Sequence, residues 1–293
     1  MADPRYTYTP IPGDESQADK LTRHLKNRDE KSISNDTKQL DKLLSTIRNN
    51  RKKFNSSHTY YFEHREKFLD PEYNSIVKAV KTYGATLAQV QSALHVENGM
   101  DHDQIKRLIN DAKQKHPNIE RLRKEFYLEK IKQETNKICS REQEPQAIAK
   151  LLDQYVLNAV NVGASLHELC SALRSYYKTT PQADYAPIDR LVTNQEHDNN
   201  PHVARIKMEI KETEIVLAAE KLLNLPKSST KKLFDNNQGK IEEELLEHCK
   251  QFTEMGGNVI EALQKHSLEL PAHTLAEFNK RQKEIPQANI LNL

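Results

Sequence analysis

The chain has 293 residues, with 44 Lys plus Arg against 42 Asp plus Glu, 29% charged residues, 7 glycines and no tryptophan. That balance is too near neutral to advertise a nucleic-acid or membrane partner for the whole molecule, and so few turn glycines leave little room for an antiparallel β protein. Cys139, Cys170 and Cys249 are an odd number, widely separated and without a C-x-x-C pair, so neither a disulfide framework nor a zinc site is indicated and a reducing, cytoplasmic setting is expected.

The composition instead suits amphipathic helices, and an all-α fold is expected. The N-terminus lacks the apolar core of a signal peptide, and no segment offers the uncharged length a bilayer demands, so a soluble chain without a membrane span is expected. Residues 1–34 hold Pro4, Pro10, Pro12 and Gly13 and then a polar, charged run, which reads as an extended N-terminal tail with a short helix near Leu21 to Leu25. Residues 35–70 read as a basic helical hairpin. Its first helix carries Leu40, Leu43, Leu44, Ile47 and Phe54 on one face, and a second, after Ser56-Ser57, runs to Asp70-Pro71. From Lys20 to Lys67 there are 13 basic and 6 acidic residues, a net of +7 against −5 for the remainder. Arg48, Arg51, Lys52 and Lys53, followed by Tyr60 and Tyr61, are the candidate partner-binding residues; a solvated helix end is the plainer alternative.

Beyond the hairpin, one junction occurs three times. Tyr83-Gly84-Ala85-Thr86-Leu87-Ala88-Gln89 is answered by Val162-Gly163-Ala164-Ser165-Leu166-His167-Glu168, and more loosely by Met255-Gly256-Gly257-Asn258-Val259-Ile260-Glu261. Glycine ends one helix in the left-handed conformation; Thr86, Ser165 or Asn258 caps the next, with Gln89, Glu168 or Glu261 completing a capping box. Pro117-Asn-Ile-Glu-Arg-Leu-Arg-Lys-Glu-Phe126 also aligns without gaps to Pro201-His-Val-Ala-Arg-Ile-Lys-Met-Glu-Ile210. The pattern predicts helical repeat 1 over 71–144, repeat 2 over 145–229 and a truncated repeat 3 with a C-terminal tail over 230–293. The whole is a solenoid-like, TPR/HEAT-like array, although the 34-residue spacing and aromatic signature of tetratricopeptide repeats are missing. The segment with Pro181 and Pro187 reads as a longer loop, and Pro226 to Gly239 as a loop or short helix between the units.

No motif for catalysis, metal or cofactor binding is found: there is no phosphate loop, dinucleotide fingerprint or nucleophile elbow, and none of the 12 histidines has metal-ligand spacing. Glu242, Glu243, Glu244 and Glu247 read as acids at a helix start that complement its dipole, with general acid catalysis as the alternative. Arg121 with Glu125, and Arg205 with Glu209, read as i, i+4 ion pairs, or as a charge ladder along a groove.

The all-helical character, the Asn, Lys and Gln richness, the absent tryptophan and the tail Glu284-Ile-Pro-Gln-Ala-Asn-Ile-Leu-Asn-Leu293 resemble secreted effectors of intracellular bacterial pathogens such as Legionella. Within that group the chain is similar to the all-helical metaeffectors, which bind and restrain another effector. The resemblance implies translocation into a host cytosol and a protein partner; no enzyme activity and no cofactor are expected because no motif for either is found. Three functions stand open on sequence: a helical-repeat module that binds and regulates a protein, an enzyme with an active site scattered between repeats, and a nucleic-acid binder acting through the basic hairpin.

Overall fold

A computed structural model describes residues 17–56, 65–95, 102–140, 145–177, 180–183, 185–224 and 231–284; side chains are described over 32–51, 70–95, 102–138, 147–174, 185–224 and 238–281. Among these residues the chain is helical apart from one two-stranded ribbon. It divides into two compact units, Met1–Glu125 and Phe126–Leu293. None of the described helices is long and apolar enough to cross a membrane.

In the first unit, α1 is one helix from Gln17 to Ser56 and α2 runs from Arg65 to Tyr83. Both differ from the expected tail and hairpin. Between Gly13 and Pro71 there is neither glycine nor proline, so Lys, Arg, Gln, Glu and Leu carry α1 back through most of the segment read as extended. Among its described side chains, residues 32–51, α1 buries a face from Leu40 onward, while Ile33 remains 64% exposed. The second correction concerns Pro71, which lies inside α2 and does not end a helix. Residues on both sides of it are buried or helical, and burial of Glu72, Tyr73 and Ile76 holds the helix together across the amide that proline cannot supply.

Two short helices, α3 (Leu87–Ala93) and α4 (Asp103–Asn110), and the long α5 (Pro117–Ser140) follow. α1 packs on α2 and α3, and α2 packs on α4. Leu40, Leu44 and Ile47 of α1, Ile76 and Val80 of α2, Val90 of α3, Leu108 of α4, and Ile119 and Leu122 of α5 are buried. At the end of α4, the buried Arg123 donates from Nε to the Ile109 carbonyl at 2.9 Å and from Nη2 to the Asp111 carbonyl at 2.6 Å, with Glu120 as its carboxylate partner at 2.5 Å. One guanidinium thus satisfies acceptors that the helix end leaves open.

The second unit contains α6 (Pro145–Asn161), α7 (Leu166–Ala172), α8 (Ala186–Thr193), α9 (Pro201–Leu223), α10 (Lys231–Glu254), α11 (Val259–Lys265) and α12 (Ala272–Glu284). Between α7 and α8, strands β1 (Arg174–Tyr177) and β2 (Thr180–Ala183) pair antiparallel, where a plain loop was expected. Pro181 is tolerated because each strand of a two-stranded ribbon has an unpaired edge. α10 covers most of the Pro226–Gly239 segment, Gly239 included, as the start of a long helix and not as a loop or a short separate one. Two apolar clusters share α9: Val203 and Ile206 join one with Leu152, Val156 and Leu169, whereas Ile215, Ala218, Ala219 and Leu222 join the other with Leu245, Cys249, Phe252 and Phe278.

Candidate functional site

The junctions are built alike. Gly84, Gly163 and Gly256 have φ of +65°, +88° and +84°, a region open to glycine at little cost. At the second and third junctions the chain closes with a paired helix-end bond, Gly163 N to Val160 O with Ala164 N to Ala159 O, and Gly256 N to Thr253 O with Gly257 N to Phe252 O. The first is one residue wider, Ala85 N reaching Ala79 O. Thr86 with Gln89 and Ser165 with Glu168 form complete capping boxes, and Asn258 accepts from the Glu261 amide at 3.2 Å.

The Arg–Glu pairs of the long helices act on these junctions. Arg121 donates to the Gly84 carbonyl at 2.6 Å and pairs with Glu125 at 3.4 Å, while Glu125 accepts the Leu87 amide at 2.7 Å. In the second unit Arg205 donates to the Ala164 carbonyl at 2.6 Å and pairs with Glu209 at 2.9 Å, while Glu209 accepts the Leu166 amide at 2.6 Å. The expected i, i+4 ion pairs are therefore present in both long helices, and each does more than pair its two charges. Cation and anion each satisfy a backbone group, one at the end of a helix and one at the start of the next.

A second recurrence was not read from sequence. Arg107 of α4 pairs with Asp70 of α2 at 2.7 Å, Arg190 of α8 grips Asp153 of α6 through both its Nε and Nη2, and Arg281 of α12 grips Glu243 of α10 through both terminal nitrogens at 2.9 Å. The signal was present in part, since Ile105-Lys-Arg107-Leu108-Ile109 matches Ile188-Asp-Arg190-Leu191-Val192. The acids sit at different distances before their glycines, which concealed the match.

Around the Arg190 pair lies an open groove of about 460 Å³, lined by Asp153, Gln154 and Leu157 of α6, by Pro187, Arg190, Leu191 and Thr193 of α8, and by Asn194 and His197 beyond it. Leu157, Pro187 and Leu191 give it apolar surface; the remaining side chains give it hydrogen-bonding groups and one neutralised ion pair. Such a lining suits an amphipathic segment, with apolar contacts for affinity and polar groups for orientation. Leu151, earlier on α6, is an exposed large apolar side chain.

One member of the expected basic cluster is withdrawn from the surface. Arg48 is exposed, but Arg51 is turned inward, 15% exposed, with Nε 3.7 Å from the Glu72 carboxylate and Nη2 against His102 Nε2. A guanidinium so placed belongs to the interior, since leaving it unpaired there would cost several kcal/mol, about 3 to 5. The side chains of Lys52 and Lys53, and Tyr60 and Tyr61 altogether, lie outside the described residues. The acidic run is corrected too: Glu242 to Glu247 sit midway along α10 and not at its start. Glu242 accepts from Thr274, Glu243 holds Arg281 and Glu247 accepts from Gln251. Among the described residues no group of three or more His, Cys, Asp or Glu is placed to hold a metal ion. In comparison with known proteins, no family model, no curated protein and no solved structure matches the chain.

Proposed function

We propose that this chain is a helical-repeat binding module that engages one protein partner and regulates it. The observation that carries the reading is the threefold return of one unit: a helix, a glycine junction, a capped seven-residue helix and a further helix tied back to the first by an exposed Arg–acid pair. Repetition of a helical unit multiplies surface of one kind, which serves recognition of a large partner. The groove between α6 and α8 offers a place where an amphipathic segment of such a partner fits. On the resemblance set out above, the partner is a second secreted effector, which this chain would restrain.

The test is capture of the partner by the full chain followed by cross-linking and mass spectrometry. The reading requires one stoichiometric protein, cross-linked to residues of α6 and α8. Leu157→Glu should then speed dissociation at least tenfold, as loss of an apolar anchor does, without loss of helical circular dichroism. Reversal of Arg48, Lys52 and Lys53 to Glu, with Arg51 left in place, should slow association if the partner is acidic. Turnover of a small molecule with no macromolecular partner would overturn the proposal.

A further inference from the structure

His102 occupies an unusual position. Its Nδ1 accepts the Gln104 amide at 3.2 Å and so caps the N-terminus of α4, while its Nε2 faces the Arg51 guanidinium of α1. An amide and a guanidinium only donate. A neutral imidazole offers one lone pair to these two donors, and an imidazolium offers none, so a second ring proton turns both contacts into encounters between donors. Among the described residues, the charged groups around the ring include Arg51 of α1, Glu72 of α2 at 3.7 Å from Arg51, and Asp103 of α4 itself, with Gln104 hydrogen-bonded to Glu72.

We propose that His102 is an acid-released latch: the neutral ring uses its one lone pair to cap α4 while lying uncharged beside the end of α1, and protonation parts the two helices by withdrawing the cap and setting a second cation against Arg51. Burial, reinforced by Arg51, lowers the His102 pKa to about 4, whereas burial raises that of Glu72 despite Arg51 and Gln104. The unfolded or opened chain therefore takes up the His102 proton near 6.5, well before the closed one does. The closed state is favoured fully above that value and loses its advantage as the pH falls from about 6.5 to about 4. Glu72 has the opposite sign, because its protonation is easier in the closed state, so it moderates the release and does not drive it.

Hydrogen exchange of the amides over residues 44–51 and 104–108, corrected for intrinsic rates, reads the opening directly. Between about pH 7 and about pH 4.5 the opening constant should rise roughly 10- to 100-fold in the native chain. His102→Asn keeps a capping acceptor that does not titrate and should abolish the rise, whereas Glu72→Gln should retain it. An unchanged rise in His102→Asn, its loss in Glu72→Gln, or no rise in the native chain would each overturn the proposal. If His102→Asn fails to fold, NMR titration of the His102 ring in the native chain decides: a midpoint of about 4 supports the latch, and one near the ordinary 6.5 removes it.

Discussion

Glu209 and Leu166, 43 residues apart, are joined by a 2.6 Å hydrogen bond from the first amide of α7 to the carboxylate. The same carboxylate pairs with Arg205, which holds the Ala164 carbonyl across the glycine turn. Glu209→Ala should therefore strip an amide and a guanidinium of their acceptor together and cost about 1 to 3 kcal/mol by urea denaturation. Glu209→Gln keeps an acceptor and should cost less than half as much. Equal losses in the two variants would mean that the carboxylate does not hold the junction.

Two glycines at successive junctions separate conformational from steric cost. Gly163 has positive φ and open space where a Cβ would stand. Gly163→Val should thus lose about 1 to 3 kcal/mol through backbone strain alone, and Gly163→Asn markedly less. At Gly257 a Cβ would stand 2.4 Å from the Phe252 ring. Gly257→Ala should be destabilising, and Phe252→Leu should recover part of the loss in the double variant. Additive losses would show that the ring is not what excludes the methyl group.

Arg123 joins two interior carbonyls and Glu120 in the first unit. Its replacement by Met preserves much of the stem but leaves the carbonyls of Ile109 and Asp111 short of a donor, an expected loss of about 2 to 4 kcal/mol. Hydrogen exchange should locate the damage at α4 and the turn after it. A loss below about 0.5 kcal/mol would place Arg123 with ordinary surface charges.

Cys249 is buried, and burial pushes its thiol up to about 12, while the half-buried Cys170 is raised by burial and drawn back by Arg174. Thiolate is the reactive form, so in a Cys139→Ser background Cys170 should react with a thiol reagent first. Cys249 should follow only as the second unit unfolds, at a rate that tracks denaturant. Equal labelling rates in native buffer would contradict the buried placement.

The helical class and the junctions were legible because they depend on neighbouring residues: a glycine, a capping hydroxyl or amide two positions on, and a matching acid or amide after it. Position 71 and the start of α1 were not. Proline marks a boundary only when nothing else holds the helix, and here the buried Tyr73 and Ile76 outweigh one absent amide. Arg51 shows the same limit for charge. Its neighbours in sequence, Arg48, Lys52 and Lys53, suggested one solvated patch, yet helical geometry sends adjacent side chains to different faces, and the partners that turn Arg51 inward lie 21 and 51 positions away. The Arg190 groove was hidden for a related reason, since α6 and α8 are separated in sequence by α7 and the ribbon and meet through tertiary packing.

The double duty of α9 makes the second unit brittle in a particular sense. A string of independent modules can shed one and survive, but Ile206 closes one apolar cluster and Ile215, nine residues on, closes the other on the same rod. Melting either cluster strips one side of the rod and shortens the lever by which the other is held, so Phe126–Leu293 should unfold as one event and not in stages. Cutting the chain at residue 228 does more than discard α10 to α12: it leaves Ile215, Ala218, Ala219 and Leu222 facing water, and turns a trimmed protein into a sticky one.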